Sequence, residues 1–265
     1  MTYRSPLPPG RDGFGAMLRA EWTKLRTVRG WVVGLAVSAL VIAGLGLFMA
    51  SASVSSCSDG DVEVECPTPP LGPDGEAVDD KFYFVNQPLD GDGVLTVRVT
   101  SMTGVITYPP PDHDEIVSGV VPWAKAGLMI KESTKPGAAY AAVMATGDHG
   151  VHMQNNFVND SAGKPGKPSK ESPRWLRLKR SGDTITGYES GDGRSWTKVD
   201  SVRLELPPTV RIGMFVGSPG DLTVSDNGLA GSTQAMRLAT ATAVFDKVKT
   251  PSGGEKWNQD DIGVT

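Results

Sequence analysis

The chain has 265 residues, among them 30 Asp and Glu and three His, which are the side chains able to run acid–base or metal chemistry. Their spacing argues against most of it. Glycoside hydrolysis needs two carboxylates about 5–10 Å apart. Glu132 and Glu189 instead stand singly on their expected strands, and the acidic knot at 112–115 (DHDE) follows three prolines and reads as an irregular loop. His113, His149 and His152 have no GxSxG partner. His149 and His152 fall at i, i+3 across an expected turn, without an evident third metal ligand. The two cysteines form no CxxC pair. The expectation is a protein without catalytic residues, metal or cofactor.

Binding chemistry is better supplied. Strand alternation that turns Leu128 and Ile130 inward turns Lys131 outward, and Val151 and Met153 inward turn His152 and Gln154 outward. By the same parity, Leu176 and Leu178 inward put Arg177 and Lys179 outside, and Ile185 inward puts Tyr188 outside. If these consecutive strands form one meander, Lys131, His152, Gln154, Arg177, Lys179 and Tyr188 share a single outer face. Cations, an amide and an aromatic ring on one face suit a sugar or an anionic polymer. The alternative is the solvated polar face that any antiparallel sheet can carry.

These residues sit in a region of period-two runs separated by Gly, Pro, Asn and Asp. Strands are expected near 81–85, 94–101, 124–132, 139–146, 150–157, 174–180, 183–189, 196–199, 209–216 and 234–248. With no helical pattern between them, the expected class is all-β, an antiparallel jelly-roll-like sandwich over 79–250. Trp196, after SGDGRS, is expected in the core, Trp123 at a sheet edge, and Trp257 pinning a C-terminal tail, 251–265.

The amino-terminal part differs in kind. Residues 31–50 (WVVGLAVSALVIAGLGLFMA) carry no charge, and twenty helical residues cover roughly 30 Å of bilayer hydrocarbon. A transmembrane helix is expected over 30–52. Before it, Phe14, Met17, Leu18, Trp22, Leu25 and Val28 recur at three- and four-residue intervals, the pattern of an amphipathic helix in a cytoplasmic segment 1–29. Six Lys and Arg against Asp12 and Glu21 give that segment +4, leaving −8 for the rest of a chain whose net charge is −4. Basic residues stay on the cytoplasmic side, so the acidic remainder is expected outside a cell membrane crossed once. An acidic exterior also argues against nucleic acid as a partner.

Residues 53–78, rich in Pro, Gly, Ser and acids, read as a linker. Cys57 and Cys66 within it could close a small disulfide loop in an oxidising compartment. Ala50-Ser51-Ala52 has a signal-peptidase pattern, and Val54-Ser55-Ser56-Cys57 loosely resembles a lipoprotein box. The long apolar run and its amphipathic lead favour an uncleaved anchor.

Two resemblances add to this. MLRAEWTKLRTVRGW, running into an apolar helix, resembles the amino terminus of actinobacterial ABC-type export permeases over about 40 residues, although a single helix cannot line a translocation path. Further on, WAKAGLMIKES, YAAVMATGDHGVHMQNNF, PRWLRLKRSGDTITGYESGDGRSWTKV, VRIGMFVGSP and ATAVFDKVKT are together similar to concanavalin A-like lectin/glucanase sandwiches of a bacterial branch. The first resemblance implies association with an export system, and the second implies a sandwich whose members include carbohydrate binders, enzymes and spacers. The reading is a membrane-anchored extracytoplasmic module that recognises an envelope glycan or polymer. A truncated permease subunit with a structural ectodomain and a glycan-active hydrolase are the alternatives.

Overall fold

The computed structural model describes residues 14–27, 29–52, 57–59, 62–64, 68–107, 116–226, 232–251 and 256–263. The chain divides into two compact units, Met1–Thr68 and Pro69–Thr265.

The first unit holds two helices, α1 (Phe14–Thr27) and α2 (Arg29–Ala52). Phe14, Met17, Leu18 and Trp22 are exposed along α1, as the three- and four-residue spacing requires of an apolar stripe without a protein partner. Within α2, Gly30–Phe48 has a mean hydropathy of 2.3 and is long and apolar enough to cross a membrane. Its place near the amino terminus also suits a signal sequence. Inside the expected linker, β1 (Cys57–Asp59) pairs antiparallel with β2 (Val62–Val64). Cys66, and with it the expected bond to Cys57, lies outside the described residues.

The second unit is an all-β sandwich with exclusively antiparallel neighbours among its described strands. In chain order these are β3 (Phe82–Asp90), β4 (Gly93–Thr107), β5 (Ile116–Ser118), β6 (Lys125–Lys131), β7 (Tyr140–Thr146), β8 (Val151–Asn155) and β9 (Asn159–Ala162). Then follow β10 (Arg174–Ser181), β11 (Thr184–Ser190), β12 (Thr197–Arg203), β13 (Thr209–Gly217), β14 (Asp221–Asp226), β15 (Ser232–Lys249) and β16 (Asn258–Ile262). One sheet runs β12-β11-β10-β4-β15-β14, with β5 also on β4, and the other runs β16-β3-β13-β6-β7-β8-β9. We call them the β10 sheet and the β6 sheet.

Alternation places the core between them. In RWLRLKRS of β10, Leu176 and Leu178 are fully buried while Lys179 is exposed. They meet Leu95, Val97, Leu128, Ile130, Val143, Met153, Ile185 and Ile212 in the main apolar cluster. Each such side chain contributes about 1.5–3 kcal/mol by leaving water. β6 and β7 are buried on both faces, and their sequences KAGLMIK and YAAVMAT show the near-continuous apolar run that double burial demands. At the open ends, edge strands β9 and β12 are tied by the Ser161 hydroxyl, which donates to the Asp200 carboxylate. That bond holds Asp200 below the usual carboxylate range.

Two segments depart from the sequence-based expectation. Residues 69–78, read as linker, belong to the sandwich unit: Leu71 and Ala77 form a bridge, Val78 is buried, and Val78 N donates to Pro70 O. Gly137, at φ +79°, lies so close to this segment that a Cβ would stand 2.0 Å from Leu71 O. The expected tail, 251–265, contains β16, which pairs with β3 and buries Ile262.

Candidate functional site

The six residues expected on one face are divided between two sheets. The loop 163–173 carries the chain from β9 in the β6 sheet to β10 in the other sheet. Lys131, His152 and Gln154 therefore lie on the outer side of one layer, and Arg177, Lys179 and Tyr188 on the outer side of the opposite layer. The meander that would have joined them ends at β9.

On the β6 sheet the outer side is not a solvated face. Phe84, Met129, Tyr140, Ala142, Met144, Phe215 and Ile262 form a second buried apolar cluster there, with Phe82 and Phe157 against it. Phe157, at φ +65° in the turn after β8, meets Tyr140 edge-on at 4.8 Å. Lys131 is wholly buried in this layer. Its ammonium donates to Asp80 Oδ2 at 2.8 Å and Ala138 O at 2.9 Å, and lies 5.5 Å from the Tyr140 ring centre. Asp80 Oδ2 also accepts Gly137 N at 2.8 Å. Burial pulls the Lys131 amine down, against the opposing charge of Asp80. An ammonium with no exposure to solvent, two of its three hydrogens bonded within the protein, cannot meet a ligand on an open face, so the expected ligand role of Lys131 is corrected to a structural one.

His152 and Gln154 are likewise engaged within the protein. His152 is buried, its Nδ1 2.9 Å from Asp160 Oδ2 and its Nε2 3.0 Å from His149 O. Both ring nitrogens are thus occupied, which leaves none for a metal. Gln154 Oε1 accepts from Lys125 Nζ at 2.8 Å. Burial lowers the Lys125 amine, with Asp160 opposing. Trp123 closes this corner, stacking on His149 at 4.0 Å and meeting His152 edge-on at 5.4 Å. No group of three metal-ligating side chains occurs among the described residues.

The β10 sheet keeps its outer side open. Register sets Lys198, Tyr188, Arg177, Thr96 and Lys249 in one row across β12, β11, β10, β4 and β15. At about 4.8 Å per strand the row spans roughly 19 Å. Lys179 is the next outward residue of β10. Lys179, Lys198 and Lys249 are exposed, and Arg177 and Tyr188 half-buried. None of the four cations forms an ion pair with a described residue. The Arg177 guanidinium carbon lies 3.8 Å from the Trp196 ring centre, and its Nε donates to Thr96 Oγ1 at 3.3 Å. Trp196, expected in the core, is a half-buried platform under this arginine instead.

The turn between β11 and β12 fixes that platform. Asp192 Oδ1 accepts Arg194 N and Ser195 N, both at 2.8 Å, while Ser190 Oγ accepts Gly193 N at 2.9 Å. The bonds from Ser195 N and Arg194 N, with that from the Ser190 hydroxyl, hold the Asp192 carboxyl far below its usual range. Gly193 has φ +71°, and a Cβ there would stand 2.7 Å from the Trp175 indole. The Arg98 guanidinium lies 5.6 Å from the Trp175 ring centre and pairs with Asp246. A cation row with two tryptophans and a tyrosine can hold an anionic chain and stack against sugar rings.

The sequence reading missed a second feature. A cleft of about 520 Å³ opens beside β16, lined by Arg211, Lys256, Trp257, Asn258, Gln259, Asp260 and Thr134. Parity alone marks Arg211 as outward between Val210 and Ile212. The polar run NQDD gave no strand signal, so its role as the cleft wall was not readable.

The carboxylates weighed for catalysis are apart in environment. Glu132 is exposed, and Glu189 is buried with Oε1 accepting Lys164 N at 2.7 Å.

No protein-family model matches the chain, and no curated protein matches it. Among solved structures it is similar to a functionally unknown protein from Saccharomyces cerevisiae, at 14% identity and TM-score 0.39, covering 75% of this chain and 93% of that one. A lectin from Bauhinia forficata in complex with GalNAc matches at 13% identity and TM-score 0.31, over 66% of this chain and 85% of that one. A xylan β-1,4-xylosidase from Bacillus halodurans matches at 11% identity and TM-score 0.31, over 60% of this chain and 32% of that one.

Proposed function

We propose that this chain is a non-catalytic recognition module, held at the cell envelope by α2, which binds an acidic glycan or envelope polymer on the outer side of its β10 sheet. The observation that carries this reading is Arg177 over Trp196, flanked by Lys179 and Tyr188 on a row whose cations form no ion pair with a described residue. Arginine presents a planar donor fork to carboxylate or phosphate, and here stacking holds it ready. Six basic residues before Trp31 support an amino terminus inside and the sandwich outside. The permease-like start supports an ABC-type export complex as its neighbour, which co-purification with a transport ATPase in mild detergent would test.

The binding test uses the full chain in detergent micelles against immobilised acidic and neutral cell-wall polymers. Saturable binding to the acidic set is expected, lost on combining Arg177→Ala with Lys179→Ala. Equal retention of the double variant overturns the surface, and release of shortened oligosaccharides by the wild type overturns the non-catalytic reading.

A further inference from the structure

The cleft beside β16 is lined in part by Arg211 of the β6 sheet, in the layer opposite the Arg177 row, and its chemistry is independent of that row. Arg211 sits between Pro88 and Lys131 in register, on the interior strand β13. Its neighbour Lys131 is neutralised by Asp80, whereas Arg211 and Lys256 make no ion pair with any described residue. The carboxylate that lines the cleft, Asp260, accepts Asn86 Nδ2 at 2.7 Å. Gln259 Oε1 accepts the Tyr83 hydroxyl at 2.6 Å, which leaves the Gln259 amide hydrogens free of that bond. Trp257 lines the same space while it packs on the main core, so its indole is held in place.

We propose that this cleft is a second ligand site, specific for a carboxylate-bearing sugar unit of the uronic acid class. Arg211 and Lys256 against Asp260 leave the lining with one excess positive charge. That balance matches a monoanionic carboxylate, where a phosphate would bring about −1.5 to −2. Arg211 supplies a planar fork for the carboxylate, Trp257 an apolar face for the ring carbons, and Gln259 and Asn258 amides for hydroxyls. The cleft volume of about 520 Å³ falls within the range of small-molecule sites, about 300–1,000 Å³.

Titration calorimetry on the full chain in detergent micelles, with glucuronate, glucose and glucose 6-phosphate as probes, tests this. Glucuronate is expected to saturate, at least about tenfold more tightly than glucose, as loss of a charged hydrogen-bond partner implies. Arg211→Ala removes that preference, Lys256→Gln weakens glucuronate, and Lys170→Gln, on an exposed loop outside both surfaces, leaves it unchanged. Lys256 is exposed, so its variant keeps the test valid if Arg211→Ala lowers the melting temperature. Absence of saturation, equal affinity for glucose, tighter binding of glucose 6-phosphate, or binding unchanged in both cleft variants overturns the site. Loss of polymer binding in the Arg177 variants with glucuronate binding intact separates this proposal from that for the β10 sheet.

Discussion

The two sheets turn very different outer sides to their surroundings, although both alternate in the same way. Behind β6 and β7 the outward residues include Met129, Ala142 and Met144, and the wholly buried cation among them, Lys131, is sealed against Asp80. Behind β10 and β11 the outward residues include Arg177, Lys179, Thr186 and Tyr188, with no layer of apolar side chains over them among the described residues. Parity therefore says which side chains leave the main core, and the company they keep says whether they reach water. An outward lysine flanked by Met and Tyr is a buried ion pair; an outward arginine flanked by Lys and Thr is a surface.

The largest test of this contrast is Lys131→Met. It strands the Asp80 carboxylate in an apolar layer and is expected to cost about 3–5 kcal/mol in denaturant unfolding. Adding Asp80→Asn should restore most of that, because no charge is then buried and Gly137 N keeps an acceptor. A cost below about 1 kcal/mol, typical of exposed pairs, would break the distinction between the two sides.

Gly193→Ala comes next. Positive φ and the close approach to Trp175 together imply about 1–3 kcal/mol, with Trp175 fluorescence shifting as the ring is displaced. Arg177→Ala should change stability by only about 0.5–1 kcal/mol, the worth of an exposed cation–π contact, while polymer binding weakens and is lost when Lys179→Ala is added.

The smallest effect is in acid. Backbone hydrogen bonds lower the Asp192 carboxyl in the folded state, so its stabilisation is present above the unfolded value near 3.8 and lost as pH falls toward the folded value. Amide exchange at Arg194 and Ser195, corrected for intrinsic rate, should accelerate below that pH before β7 does. Asp192→Asn should remove the pH dependence of this difference, and a turn that stays protected in acid would show that Asp192 does not hold it.

The strands of the sandwich interior were readable because one apolar layer imposes alternation, as on β10, and two impose a continuous apolar run, as on β6 and β7. β10, with Leu176 and Leu178 inward, is the plainest example. Strands β9 (NDSA) and β16 (NQDDI) were not, since each ends a sheet and has too few buried side chains to pattern its sequence. The candidate face divided for a different reason. Local parity placed Arg177, Lys179 and Tyr188 together, but sheet membership is decided by the connection at 163–173. Tight hairpins use 2–5 residues, and this longer Gly- and Pro-containing loop was the available sign of a change of layer. The Asp80–Lys131 pair joins residues 51 positions apart, a distance at which composition carries no information about partners.

Strand β16 has one more consequence. Ile262 faces Phe82 in register, and Gly263 is folded against the backbone of Asp80. The first long strand of the sandwich and its last are side by side at one edge, so the path of the chain is almost a closed ring. A short bridge between those neighbours, with the backbone opened at exposed Lys167, would yield a circular permutant with the same layers and register. The same geometry would let such a ring be spliced into a surface loop of a host protein, with both connections leaving from one edge.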